Sequence, residues 1–118
     1  MTLADYFAKA QPFEAPVFDK VLAHLETLGP IHVEPVSVGI FCKHTGSFVE
    51  LRPKTRWVAM SFPLLRTLDH PRIARRPIVA ASRIFHVVNL RAPEEVDATV
   101  TDWLTEAYVS TVEDEPDD

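Results

Sequence analysis

Three guanidinium groups, Arg72, Arg75 and Arg76, lie within the stretch DHPRIARRP, residues 69–77, between Pro71 and Pro77. Guanidinium forks bind carboxylate and phosphate in a bidentate way, so this clustering supports a surface for an anionic ligand or a protein partner. Arg56 and Arg83 are the second set of contacts, and Lys54, two residues before Arg56, joins them as a further cation near the loop. The competing reading is that these arginines pair internally with Asp69 and with acids of the C-terminal segment. Each exposed pair would then contribute only about 0–1 kcal/mol.

A second constellation sits in the strand-like middle. Glu50 and Arg52 alternate with Phe48, and Trp57 alternates with Ala59 and Ser61 in the next run. If the two faces coincide, Glu50, Arg52 and Trp57, with His86 from a later run, offer aromatic surface and a few polar groups, the make-up of a small-ligand or enzyme site. Against this, a Glu beside an Arg is also the signature of a cross-strand ion pair. His86 falls among Ile84, Val88 and Leu90, as a hydrogen-bonded core or edge histidine does, and no partner acid for proton transfer can be named.

Cys42 and His44, in CKH, are the nearest approach to a metal or thiolate–imidazole pair. Cys42 continues an apolar series with Val38 and Ile40, which argues for a buried, inert thiol. No metal is expected. Gly29, Gly39 and Gly46 are too far apart for a dinucleotide fingerprint, and no Gly-rich phosphate loop is present, so no cofactor is expected either.

The charge is unevenly distributed along the 118 residues, whose formal net charge is −5. Residues 1–42 carry two Lys or Arg and five Asp or Glu; residues 43–91 carry ten and two; residues 92–118 carry none and ten. Such asymmetry suggests an anionic partner for the middle, or neutralisation of a basic sheet by an acidic helix and tail within the same molecule. Nucleic acid is not favoured, because the overall charge is negative and neither a helix-turn-helix nor aromatics beside basic residues can be recognised. No apolar run is long enough for a bilayer and the N-terminus lacks a leader pattern, so a cytoplasmic protein that does not use a membrane is expected. The single cysteine agrees with a reducing compartment.

These groups need a scaffold, and the periodicities supply one. TLADYFA, with Thr2 followed three residues later by Asp5, predicts a short capped helix that covers the main body. Phe18, Val21, Leu22, Leu25 and Leu28 recur at helical spacing after Pro16 and stop at Gly29. From Ile31 the period becomes strand-like: IHVEPV, with Pro35 marking an edge or bend, then a three-stranded meander over residues 38–62, then RIFHVVNL over 83–90. Residues 63–77 read as an irregular connection with a helical turn at LLRTL. A last helix begins at Pro93 and carries Val96, Val100, Trp103, Leu104 and Ala107 in one stripe.

The order of these elements and four strings, SVGIFCKHTGSFVELRPKTRWVAMSF, LDHPRI, HVVNLRAPEEVD and WLTEAY, resemble an uncharacterised bacterial family, domain of unknown function 5655. The resemblance spans residues 14–108, with PRI at Pro71 to Ile73 and the pair Ala107 and Tyr108 as its closest pieces. It implies a fold rather than an activity, and makes the DHPRI connection part of the family's architecture.

The sequence therefore predicts one α+β domain over residues 1–110, an antiparallel sheet of about five strands flanked by N-terminal and C-terminal amphipathic helices, followed by an acidic frayed tail over 111–118. Its expected role is a non-catalytic binding or interaction module. A homodimer through an uncovered sheet edge is compatible with this reading.

Overall fold

The computed structural model describes residues 1–44, 47–80 and 82–113, without the side chains of Ser47 and residues 111–113. The chain runs α1 (Leu3–Phe7), α2 (Glu14–Leu28), β1 (His32–Val36), β2 (Gly39–Lys43), β3 (Ser47–Pro53), β4 (Val58–Leu64), β5 (Ile78–Ala80), β6 (Arg83–Leu90), a 3₁₀ turn (Pro93–Glu95) and α3 (Ala98–Glu113). The strands form one antiparallel sheet in the order β1-β2-β3-β4-β6-β5. This is the expected α+β architecture with six strands instead of five. The additional strand, β5, has only three residues, too few for alternation to be read.

Local chemistry accounts for the ends of the elements. Thr2 and Asp5 close the expected capping box on α1. Gly29 ends α2 at φ 152°, a conformation open to glycine, with the Tyr108 hydroxyl where a Cβ would project. Pro35 lies in β1, an edge strand, where its missing N–H leaves no ladder bond unmade. The last helix starts later than its proline suggests. Pro93 opens the 3₁₀ turn, and Asp97 then caps α3 by accepting from the Val100 amide at 3.2 Å. The HTGS turn includes Thr45 and Gly46, and the acidic tail beyond Glu113 likewise lies outside the described residues.

The sheet has one covered face. Ile40, Cys42, Val49, Leu51, Met60 and Phe62 alternate inward and join Val17, Val21 and Leu25 of α2 and Val100, Leu104 and Ala107 of α3 in a single core. Fully burying one such side chain contributes about 1.5–3 kcal/mol, so the pairing of helices and sheet is held by this layer. One residue breaks the alternation. Register shifts between Cys42 and Lys43, so Phe48 is the extra residue of a bulge; it packs edge-on to Tyr108 at 5.9 Å and is 1% exposed. This corrects the expectation that Phe48 shares a face with Glu50 and Arg52.

The connection after β4 contains no helical turn at LLRTL: Leu64 is still in β4. The Leu68 amide donates to His86 Nε2 at 2.9 Å, His70 sits edge-on to Trp103 at 5.0 Å, and the Arg72 amide donates to His70 Nδ1 at 3.1 Å. Ile73 then bridges Val88 and the Ala74 amide donates to the Val87 carbonyl, so the chain has joined the outer edge of β6. Pairing resumes at Ile78 with Phe85. Between those two pairings the outer chain has two residues more than β6, and Arg75, Arg76 and Pro77 form the resulting excursion.

Candidate anion-binding face of the sheet

The face opposite the helices is open. Register brings Phe41, Glu50, Ser61 and Val87 into one row across β2, β3, β4 and β6, and Arg52, Ala59 and Asn89 into the next. A concavity of about 410 Å³ lies on it, with Ala59, Phe85, Val87 and Ile78 as apolar surface and Glu50, Arg52, Lys54, Ser61 and Arg75 as polar groups. This volume is in the range of small-molecule sites. Arg52 Nε donates to Glu50 Oε2 at 3.2 Å, an ion pair along β3 where the sequence suggests one across strands. Three cations thus surround one carboxylate, and among the described residues Lys54 and Arg75 have no acidic partner.

The five arginines singled out from sequence separate into two kinds. Arg72 is committed internally: Nη1 donates to both Asp97 carboxylate oxygens at 3.0 and 2.9 Å, and Nη2 to the Glu95 carbonyl at 2.8 Å. Burial alone would raise the Asp97 pKa, but the Val100 amide and the Arg72 guanidinium bring it below the ordinary carboxylate value. Arg83 Nη2 donates to the Ser110 carbonyl at 3.0 Å and ties β6 to α3. Arg75, Arg76 and Arg56 are exposed, and of these Arg75 alone lines the concavity. The other two continue the positive surface, Arg76 at the excursion beside β6 and Arg56 in the turn before β4.

The second constellation is also divided. Glu50 and Arg52 lie in the concavity; Trp57 lies in the turn just before β4, with the Arg91 guanidinium 5.2 Å from its ring centroid. His86 is on the other face, fully buried and stacked on Phe62 at 5.6 Å, so it cannot join them. Burial lowers its pKa, helped by Arg66 and opposed by the Ile84 carbonyl and Glu106. Cys42 is buried in the core and its pKa is pushed up to about 12 by that burial. His44 stacks on Tyr108 at 4.3 Å. Among the described residues no group of three or more His, Cys, Asp and Glu is placed to hold a metal ion, and no helix is long and apolar enough to cross a membrane.

Sequence reasoning passed over Phe41, Phe85 and Asn89. Their signal was present: each sits between inward-facing residues, Phe41 between Ile40 and Cys42 and Phe85 between Ile84 and His86. What the sequence lacks is the strand order that sets them on one surface.

Fold and site together define a small α+β module, an antiparallel sheet backed by two helices with a cationic concavity on its free face. The chain belongs to the family described as domain of unknown function DUF5655, whose model matches residues 3–111. No curated protein and no solved structure matches the chain. The family strings now have physical content, since His70, Arg72 and Ile73 of LDHPRI fasten the connection to α3 and β6, and Ala107 and Tyr108 lie in the core.

Proposed function

We propose that this domain is a non-catalytic binding module that takes an anionic group on the open face of its sheet, with Arg75, Arg52 and Lys54 as the contacts. The observation that supports it best is the arrangement of three cations about a single carboxylate over apolar surface. Guanidinium and ammonium groups set beside low-dielectric surface attract carboxylate or phosphate more strongly than the same groups in open solvent. Binding is favoured over catalysis because Cys42, the thiol of the CKH string, and His86, the imidazole of the sheet-face constellation, are both sequestered on the helix-covered side. A reducing, cytoplasmic setting fits the lone buried thiol.

The test is titration of labelled heparin against the full chain over about 20–200 mM salt, beside the Lys54→Glu/Arg75→Glu variant. Heparin should bind the native protein and weaken as salt rises, and the reversed charges should remove most of that affinity with the circular dichroism spectrum unchanged. Equal binding by native and variant protein would sink the assignment of these residues.

A further inference from the structure

We propose that the occupant of this face is single-stranded nucleic acid, lying across the strands with its bases against the sheet. The inference rests on the anion-binding reading above and names the class of partner.

Positive charge does not end at the concavity. Arg56 in the β3–β4 turn and Arg91 just after β6, beside Glu95, extend it at one end, and Arg76 extends it along the outer edge of β6. The strip from β3 to the chain outside β6 is three strand spacings wide, about 14 Å. A single carboxylate or phosphate would satisfy the central cations and leave the outer ones unused, whereas an anion repeated along a polymer uses them all.

Planar apolar surface lies among these charges. Phe41 and Phe85 are half-buried on the open face, and Trp57 is half-buried at its end under the Arg91 guanidinium. Aromatic rings and guanidinium planes are the groups on which unpaired bases stack, and such stacking tolerates any base. Between the rings, Ser61, Asn89 and Glu50 present both donors and acceptors toward solvent, which suits the edges of bases. Glu50 would be unfavourable beside a phosphate, but is suited to accepting from an exocyclic amine. An acidic peptide would pair with the cations and has nothing planar to lay on the rings. A duplex buries its bases and cannot use the rings either.

Part of the negative charge faces away from this surface, and on the open face Glu34, beside Phe41, is paired with Lys43. Asp19, Glu26 and Asp102 are exposed on α2 and α3, on the far side of the sheet, and the shortest dimension of the molecule is 24 Å. Fields between exposed charges decay over about 8 Å at physiological ionic strength, so the two sides act separately. The acidic helices repel a nucleic acid from the back and leave the sheet as the attractive side.

The experiment is fluorescence anisotropy with the full chain and labelled probes of about 12 nucleotides: a mixed-sequence single strand, its duplex and an abasic phosphodiester of equal length, with heparin and polyglutamate as further polyanions. The single strand should bind more tightly than the duplex and the abasic probe. The Phe41→Leu/Phe85→Leu variant, which keeps apolar volume at both positions, should lose about 10-fold or more in affinity for the single strand and none for heparin. Should the leucine variant alone misfold, Phe85→Leu by itself is read the same way. If the abasic probe binds as well as the single strand, or the leucine variant binds both alike, the nucleic-acid inference is refuted while the anion site stands. Polyglutamate binding that depends on the two phenylalanines would refute it in favour of an acidic protein. If no polyanion binds at low salt, the anion reading falls as well.

Discussion

Arg72 and the pair Arg75 and Arg76 lie within five residues of one another, yet their replacement should have opposite consequences. Arg72→Ala removes three hydrogen bonds, two to the Asp97 carboxylate and one to the Glu95 carbonyl. Hydrogen bonds to charged groups contribute about 1.5–3 kcal/mol each when sheltered, but three bonds from one guanidinium are not additive. The Asp97 side chain is 48% exposed, so water takes over much of its solvation once Arg72 is gone. A net loss of about 1–2 kcal/mol follows, which for a chain of this size lowers Tm by roughly 3–10 °C. Arg72→Lys should recover little of it, since an ammonium has no planar fork to span the carboxylate and the carbonyl. Arg75→Ala/Arg76→Ala removes only exposed side chains and should shift Tm by no more than about 2 °C, consistent with surface changes within ±0.5 kcal/mol. Heparin affinity should behave the other way, falling in the double variant and holding in Arg72→Ala. Thermal melts and salt titrations on the same samples provide the comparison. A double variant that melts as low as Arg72→Ala, or an Arg72→Ala protein with native stability, would refute the division of these arginines into structural and exposed.

Three further outcomes are expected. His86 has a folded-state pKa below its ordinary value of about 6.5, so the unfolded chain takes up the proton first on acidification; stability is complete above about pH 6.5 and declines as pH falls toward the folded value, at no more than about 1.4 kcal/mol per pH unit. Urea midpoints at pH 7.5 and 5.5 measure this, and His86→Phe should flatten the difference while losing stability at both, because the Leu68 amide is left without its acceptor. Gly29→Ala should cost at least about 1–3 kcal/mol for its backbone conformation, with the Tyr108 hydroxyl obstructing the methyl, and a Tm equal to the native value would contradict the close approach. Cys42, with its pKa pushed up to about 12, should resist a disulfide reagent in the native protein and react on addition of denaturant; rapid native labelling would show that the core at β2 is open.

The elements with long, regular periods were legible in the chain. β6 lies where RIFHVVNL predicts it and α2 ends where Gly29 predicts it, because alternation and helical spacing record which face of each element is buried. What escaped depends on partners distant in sequence. LLRTL has helical propensity, but the Leu68 amide is taken by His86, 18 residues on, and Leu64 by pairing with Ile84. Phe48 obeys strict parity in the sequence, and only the register shift against β2 reveals that it turns inward. The arginines were identifiable as a group but not as individuals, since Arg72 differs from its neighbours through Asp97, 25 residues away. The concavity joins pieces from both sequence constellations, Arg75 with Glu50 and Arg52, a combination that no local pattern encodes.

The two surplus residues in the chain outside β6 also govern how the protein behaves in a crowd. Ile78 and Val79 are 59% and 73% exposed on a strand whose outer backbone groups have no neighbour in the sheet among the described residues, the kind of surface that recruits strands from other molecules. Arg75, Arg76 and Pro77 interrupt it, confining the free apolar edge to three residues beside two like charges and a residue with no N–H to donate. Excision of Arg75 and Arg76 would align Ile73 through Ala80 into a continuous edge. The expected phenotype is not a weaker fold but a shorter shelf life, with precipitation that worsens with protein concentration while freshly prepared protein melts normally. Polymorphism that shortens this segment should accordingly be scarcer than substitution within it.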